Sequence, residues 1–115
     1  MALSEFEIKR CEKLLGAYLE KHRPPVEIRN ELDLGYRMEG QSIEIFEIRP
    51  AWRRPEIKIE DSVAKATYVK TDKIWKIFWK RADSKWHRYQ PAPQVKTLEG
   101  FLAVVEKDEF GCFFG

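Results

Sequence analysis

Between Val63 and Gln90 three β-prone runs, Val63–Lys70, Ile74–Arg81 and Lys85–Gln90, follow one another with only Thr71-Asp72-Lys73 and Ala82-Asp83-Ser84 between them. Connections that short, carrying Asp and Ser, have turn chemistry, so the middle of the chain is predicted to be a meander. The meander also carries the positive charge. From Ala64 to Tyr89 eight Lys and Arg stand against two Asp, a local +6, although the 115 residues together sum to only +2. A local excess of that kind attracts polyanions, while on many proteins it is only a solvated sheet face.

If both connections are three-residue loops, Val69 lies opposite Trp75, Thr67 opposite Ile77, Trp79 opposite His87 and Ile77 opposite Tyr89. One face then collects Val69, Trp75, Ile77, Trp79, His87 and Tyr89, apolar enough to form a floor under helices. The other collects Ala64, Ala66, Tyr68, Ile74, Phe78 and Trp86, with Lys70, Lys76, Lys80 and Arg88 among them. Exposed rings stack bases at roughly 1 to 3 kcal/mol each while cations neutralise phosphates, so this second face is expected to hold single-stranded nucleic acid without reading its sequence. The competing expectations are that long cationic side chains merely cover the rings, or that the face meets a protein partner or a second copy in a homodimer.

Around the meander the pattern predicts a single α+β domain over residues 1–115: a mostly antiparallel sheet of about five strands with an N-terminal helix and a short C-terminal helix on one face. Ser4 and Glu7 fit a capping box, Leu3 and Ile8 a hydrophobic staple, and Ile8, Cys11, Leu15, Tyr18 and Leu19 fall near one helical face until Pro24-Pro25 stop it. Val26, Ile28, Leu32, Leu34 and Tyr36 then alternate as in a half-buried strand. Gly35 and Gly40 allow a reversal before Ile43–Ile48, where a shift of apolar phase suggests a β-bulge. Arg49 to Asp61, with Pro50, Pro55 and Trp52, is the longest irregular connection. Pro91 and Pro93 are expected to end the sheet, Thr97 to cap a helix through Leu98, Phe101, Leu102 and Val105, and the aromatic tail from Asp108 to dock on the domain.

Composition narrows the function. No apolar run approaches the length of a membrane span, and the first residues lack the pattern of a leader, so a cytoplasmic location is expected. Cys11 and Cys112 have no C-x-x-C spacing; reduced thiols are expected, with a disulfide between the chain ends as the alternative, and neither a metal site nor a cofactor is indicated. His87, within Trp86-His87-Arg88-Tyr89, is the candidate acid or base should the chain be a small hydrolase or transferase, for which Asp83, Asp61 or Glu47 would have to approach it.

Phe46-Glu47-Ile48-Arg49-Pro50-Ala51-Trp52, Val63-Ala64, Trp86-His87-Arg88-Tyr89 and the ending Asp108-Glu109-Phe110-Gly111-Cys112-Phe113-Phe114-Gly115 resemble a family of small bacterial proteins catalogued only as a domain of unknown function. The likeness is good from Gln41 to Gly115, looser after Pro25 and weak over the first helix. One departure is Phe113-Phe114, where many relatives have an aromatic residue followed by tryptophan. The resemblance implies a bacterial, cytoplasmic, free-standing domain and brings no substrate, cofactor or catalytic residue. It does mark Arg49, Trp52, His87 and Arg88, residues a core alone does not need. Two expectations follow: the long loop lays Arg49 and Trp52 beside the Trp86–Tyr89 strand as one composite site, or Arg49 only pairs with Glu47 or Asp83 to hold the loop. The full set of expected binding residues is Arg49, Trp52, Tyr68, Lys76, Phe78, Lys80, Trp86, His87 and Arg88.

Overall fold

Ser4 sets the first helix. Its hydroxyl accepts the Glu7 N–H at 3.2 Å and the Glu7 carboxylate accepts the Ser4 N–H at 3.0 Å, satisfying two donors that the first turn leaves free. Helix α1 runs Glu5–His22 and buries Cys11, Leu15 and Tyr18. The structure, a computed structural model, describes residues 3–114.

The strand expected from Val26 does not form there. Ile28 N–H bonds the Pro25 carbonyl at 3.0 Å and Leu32 N–H the Ile28 carbonyl at 3.0 Å, so Val26–Ile28 closes into a 3-10 turn. Local turn bonds win over the alternation, and Val26 and Ile28 stay exposed. The sheet begins later, with β1 Asp33–Glu39, β2 Ser42–Pro50, β3 Lys58–Val69, β4 Ile74–Lys80, β5 Trp86–Arg88 and β6 Gln94–Val95, followed by α2 Leu98–Lys107. All pairings are antiparallel in the order β1-β2-β3-β4-β5, and β6 joins the same edge of β4 as β5. Pro91 and Pro93 therefore interrupt the outer edge instead of ending the sheet. Neither can donate to a ladder, which is why the edge breaks into two short pieces.

Both helices pack on one face. Leu15, Phe101 and Val105 interlock with Ile43, Ile45, Ala64, Ala66 and Ile77, and all of these side chains are fully buried. The β-bulge lies where the apolar phase shifts: Ile45 pairs with Ala64 and Phe46 with Ser62, which leaves Val63 as the extra residue on β3. Past that point β2 is buried on both faces, with Ile45 and Glu47 toward the helices and Phe46 on the other side. The Phe46 ring lies on Gly35, where a Cβ would come within 2.7 Å of it, and the Arg37 guanidinium covers the ring at 4.6 Å.

The expected register between β3 and β4 is wrong by one residue. Val69 pairs with Ile74 and Tyr68 with Trp75, so the connecting loop is Lys70 to Lys73, with Lys73 at φ +53°. One residue of slip turns a strand over. Ala64, Ala66 and Tyr68 face the helices, and Lys65, Thr67 and Val69 face away. The physical reason is burial: two alanines fit beneath the helices, whereas the other phase would put the Lys65 ammonium there uncompensated. The β4–β5 register is as expected, with Trp79 opposite His87 and Arg81 N–H on the Lys85 carbonyl at 3.2 Å.

The tail docks through Asp108. This residue ends α2 at φ +40°, and its two carboxylate oxygens accept the Phe113 and Phe114 N–H groups, each at 3.0 Å. Phe113 is thereby set into the core, 4.8 Å from the Tyr89 ring, while Phe110 and Phe114 remain exposed. Gly115, which ends the expected tail motif, lies outside the described residues. Cys11 and Cys112 are both free. No helix among the described residues is long and apolar enough to cross a membrane.

Candidate functional site

Strand pleating sends Ile74, Lys76, Phe78 and Lys80 of β4 to the face that carries no helix. The ladder then aligns neighbours across three strands. Lys65, Phe78 and Arg88 form one row, and Lys80 and Trp86 form the next. Lys65 Nζ is 5.9 Å from the Phe78 ring centre and 5.7 Å from that of Trp86; Lys80 Nζ is 5.7 Å from Trp86, and the Arg88 guanidinium carbon 5.8 Å from Phe78. Cations and rings thus alternate along a strip of half-buried side chains.

What separates this strip from the rest of the open face is its lack of counter-charge. Toward β1 the polar groups are matched: Arg37 pairs with Glu60 at 3.2 Å, Ser62 Oγ donates to Glu44 at 2.7 Å, and Ser42 and Thr67 share a bond of 2.9 Å. Among the described residues none of Lys65, Lys76, Lys80 or Arg88 has a carboxylate within 4.0 Å. Glu44 stands directly across from Lys65 on β2, yet its carboxylate turns to Ser62 while the Lys65 ammonium leans toward the rings. Arg88 donates to the Pro93 carbonyl at 2.9 Å, which anchors its side chain over the strip.

The nine expected binding residues divide three ways. Lys76, Phe78, Lys80, Trp86 and Arg88 come together on the open strip. Tyr68 and His87 lie on the opposite, helix-facing side, where Tyr68 packs 5.0 Å from Trp75. Arg49 and Trp52 belong to neither. β3 continues past the level of β4 from Val63 to Lys58, paired only with β2, and this arm carries Trp52 at its tip, 86% exposed, with Arg53 stacked 4.7 Å from its ring. Six residues of strand separate Lys58, at the Pro50 level, from Ala64, at the level of His87, a distance of roughly 20 Å. The composite site is therefore not formed. Arg49 instead pairs with Glu47, holding the base of the arm.

Lys65 is the residue that sequence reasoning missed, and it sits at the centre of the strip. The signal was present in β3 itself, where Ala64 and Ala66 alternate with Lys65 and Thr67.

His87 has a partner of its own. Its Nε2 lies 2.9 Å from Asp83 Oδ2, while Asp83 Oδ1 accepts the Lys85 N–H at 2.9 Å. The Lys85 N–H first, and His87 second, hold the Asp83 carboxyl below the usual carboxylate range. The imidazole looks into a shallow hollow shared with Trp79, Arg81 and Cys112. Burial pushes the Cys112 thiol up, with Asp108 adding to it, so the sulfur stays protonated and is a poor nucleophile. The pair fixes the turn and orients the ring. Among the described residues no group of three or more His, Cys, Asp or Glu is placed to hold a metal ion.

Compared with known proteins, no curated protein and no solved structure matches the chain. One family model, described as a domain of unknown function (DUF3024), matches residues 3–115, the first helix included.

Proposed function

The chain belongs to that family, whose description assigns no activity, and from the geometry of the open strip we propose that it is a noncatalytic module binding single-stranded nucleic acid on the β3–β4–β5 face. The observation that carries this reading is the alternation of Arg88, Phe78, Lys65, Trp86 and Lys80 with no carboxylate paired to any of the cations among the described residues. A cation near 6 Å from a ring that still meets solvent gains only about 0.5 to 1 kcal/mol. A stacked base gains roughly 1 to 3 kcal/mol, so bases displace the ammonium groups from the rings and release them to the phosphates. A half-buried strip of rings suits splayed bases better than a duplex, whose bases are already stacked.

The test is retention of a labelled oligothymidylate on a native gel at low salt, beside the duplex of the same length. Binding is expected for the single strand in preference to the duplex, and the charge reversals Lys76→Glu and Lys80→Glu are expected to abolish it. No shift at low salt would falsify the reading.

A second reading, a protein-contact or self-association surface, draws on the arm, where Trp52, Ile57 and Ile59 stand exposed. Sedimentation velocity of the wild type and of Trp52→Ser tests it: a self-associated species dispersed by the substitution supports it, and a concentration-independent monomer removes the homodimer.

A further inference from the structure

Glu47 poses a question that the open strip does not answer. It belongs to β2 on the helix-facing side, is only 9% exposed, and among the described residues its single bonding partner is Arg49, held at Oε1. A carboxylate is expensive to take out of water unless something returns its hydrogen bonds. Around it close the segments that the sequence singled out: its own Phe46-to-Pro50 stretch, and the tail that Asp108 pins so that Phe113 passes on one side of Glu47 and Phe114 on the other.

On the Phe114 side is a cleft of about 260 Å³. Leu32, Leu34, Val105 and Pro24 give it apolar walls, and the Tyr18 and Phe114 rings flank it. Its polar groups are Glu47, Glu106 at the rim, the Tyr18 hydroxyl and His22. Among the described residues no Lys or Arg lines it; Lys21 and Arg49 reach the two carboxylates from outside, Lys21 meeting Glu106 at 3.0 Å. His22 Nε2 is enclosed and, among the described residues, has no hydrogen bond; Glu106 Oε2 is 3.6 Å away. Burial foremost, then Glu106 and Asp108, push the Tyr18 phenol up to about 12, so it stays a neutral hydroxyl.

An apolar-walled cleft with a few convergent polar groups is the usual form of a small-molecule site. Beside the His22 imidazole the lining offers two carboxylates, a phenol hydroxyl and two aromatic rings, groups that favour a cation. We infer that the cleft between α1, α2 and the β1–β2 pair is a binding site for a small organic ammonium ion, an amine on a short apolar body. The ammonium donates to the free oxygen of Glu47, and the apolar body lies against Leu34, Val105 and Phe114. The site is on the opposite side of the sheet from the cation–ring strip and does not depend on it.

The probe is phenethylamine, with 2-phenylethanol and 3-phenylpropionate as neutral and anionic analogues of similar shape. Each is titrated into the ¹⁵N-labelled full chain at millimolar concentration, and amide shifts are followed by NMR. The amine is expected to shift Leu34, Glu47, Val105 and Phe114 saturably, the alcohol weakly and the acid not at all. Glu47→Gln, with a dispersed spectrum showing it folded, should weaken the amine about tenfold or more. If that variant does not fold, the rim substitutions Glu106→Gln and Phe114→Ala serve instead, each expected to weaken binding severalfold. Equal binding of acid and amine, no shift with the amine, or wild-type affinity in the folded variants overturns the assignment.

Discussion

The strip's charge count makes a quantitative demand on any polyanion complex. Four cations, Lys65, Lys76, Lys80 and Arg88, project from the face that would meet the strand. A single strand yields about 0.7 of a logarithmic unit of salt slope per neutralised phosphate, so full engagement predicts a slope of about −2.8 and a roughly fiftyfold loss of affinity between about 50 and 200 mM salt. Lys65→Ala removes the central cation, taking the slope to about −2.1 and the same loss to roughly twentyfold. Trp86→Ala removes a ring and no charge. Its slope should stay near the wild-type value while affinity falls about 5- to 150-fold at every salt concentration, the equivalent of 1 to 3 kcal/mol. Fluorescence anisotropy of a labelled oligothymidylate across a potassium chloride series reads both parameters. Arg53→Ala at the tip of the arm is the control and should alter neither. A wild-type slope near zero, or a slope that Lys65→Ala leaves unchanged, refutes the argument that these side chains meet phosphates.

Four further outcomes rest on single contacts. Glu44, opposite Lys65, opposes an incoming phosphate, so Glu44→Gln should tighten oligonucleotide binding about two- to fivefold in the same titration; weaker binding would contradict this. Gly35→Ala drives a Cβ to within 2.7 Å of the Phe46 ring and should cost about 1 to 3 kcal/mol of stability in urea unfolding, with no loss meaning that the ring moves freely. Asp108→Ala removes both acceptors that pin the tail; about 1.5 to 3 kcal/mol should be lost, and the peptide bonds near Phe113 should become sensitive to chymotrypsin, whereas wild-type resistance would show the tail held by Phe113 alone. The Arg23 guanidinium, bonded to Asp33 at 2.8 and 2.7 Å, holds the Asp33 carboxyl below the usual carboxylate range. Its stabilisation is therefore complete above the unfolded pKa, about 4, and lost as pH falls through the lower folded value. Unfolding midpoints at successive pH values should converge for wild type and Asp33→Asn under acid, and a constant difference would be the contrary result.

The sequence carried the helix ends plainly because each end is a local matter: Ser4 with Glu7, Thr97 with the Gly100 N–H, and Pro24-Pro25 act within a turn. The β4–β5 hairpin was equally local. The β3–β4 register was not, since either loop length satisfies the turn chemistry of Lys70 to Lys73. What decides is tertiary: Ala64 and Ala66 must lie beneath helices more than thirty residues away at each end of the chain. The same holds for Glu47, whose burial depends on the tail folding back across it. Val26 and Ile28 fail in the opposite sense, because their alternation is genuine but no strand lies alongside to pair with them.

The sheet explains why a cationic strip persists on one half of its open face only. On the β1–β2 half the regular alternation of β2 puts Phe46 on the outer side, and the chain must cover that ring. It does so with Arg37, whose charge then needs Glu60, and Ser62 draws Glu44 into the same network. Arg37, Glu60 and Glu44 are all committed to holding that surface together. Past the bulge, β3 to β5 carry Phe78 and Trp86 with cations over them, so the rings gain partial shielding while the ammonium groups, among the described residues, gain no carboxylate partner. Stability by itself favours an opposing carboxylate at some position in that strip, as it does next door. The consequence is that introducing one, by Thr67→Glu between Ser42 and Lys76, should leave folding intact, the lost Ser42–Thr67 bond being offset by the new pair with Lys76, while it suppresses oligonucleotide binding. A variant that binds undiminished would show that the bare cations are a surface covering and not an anion site.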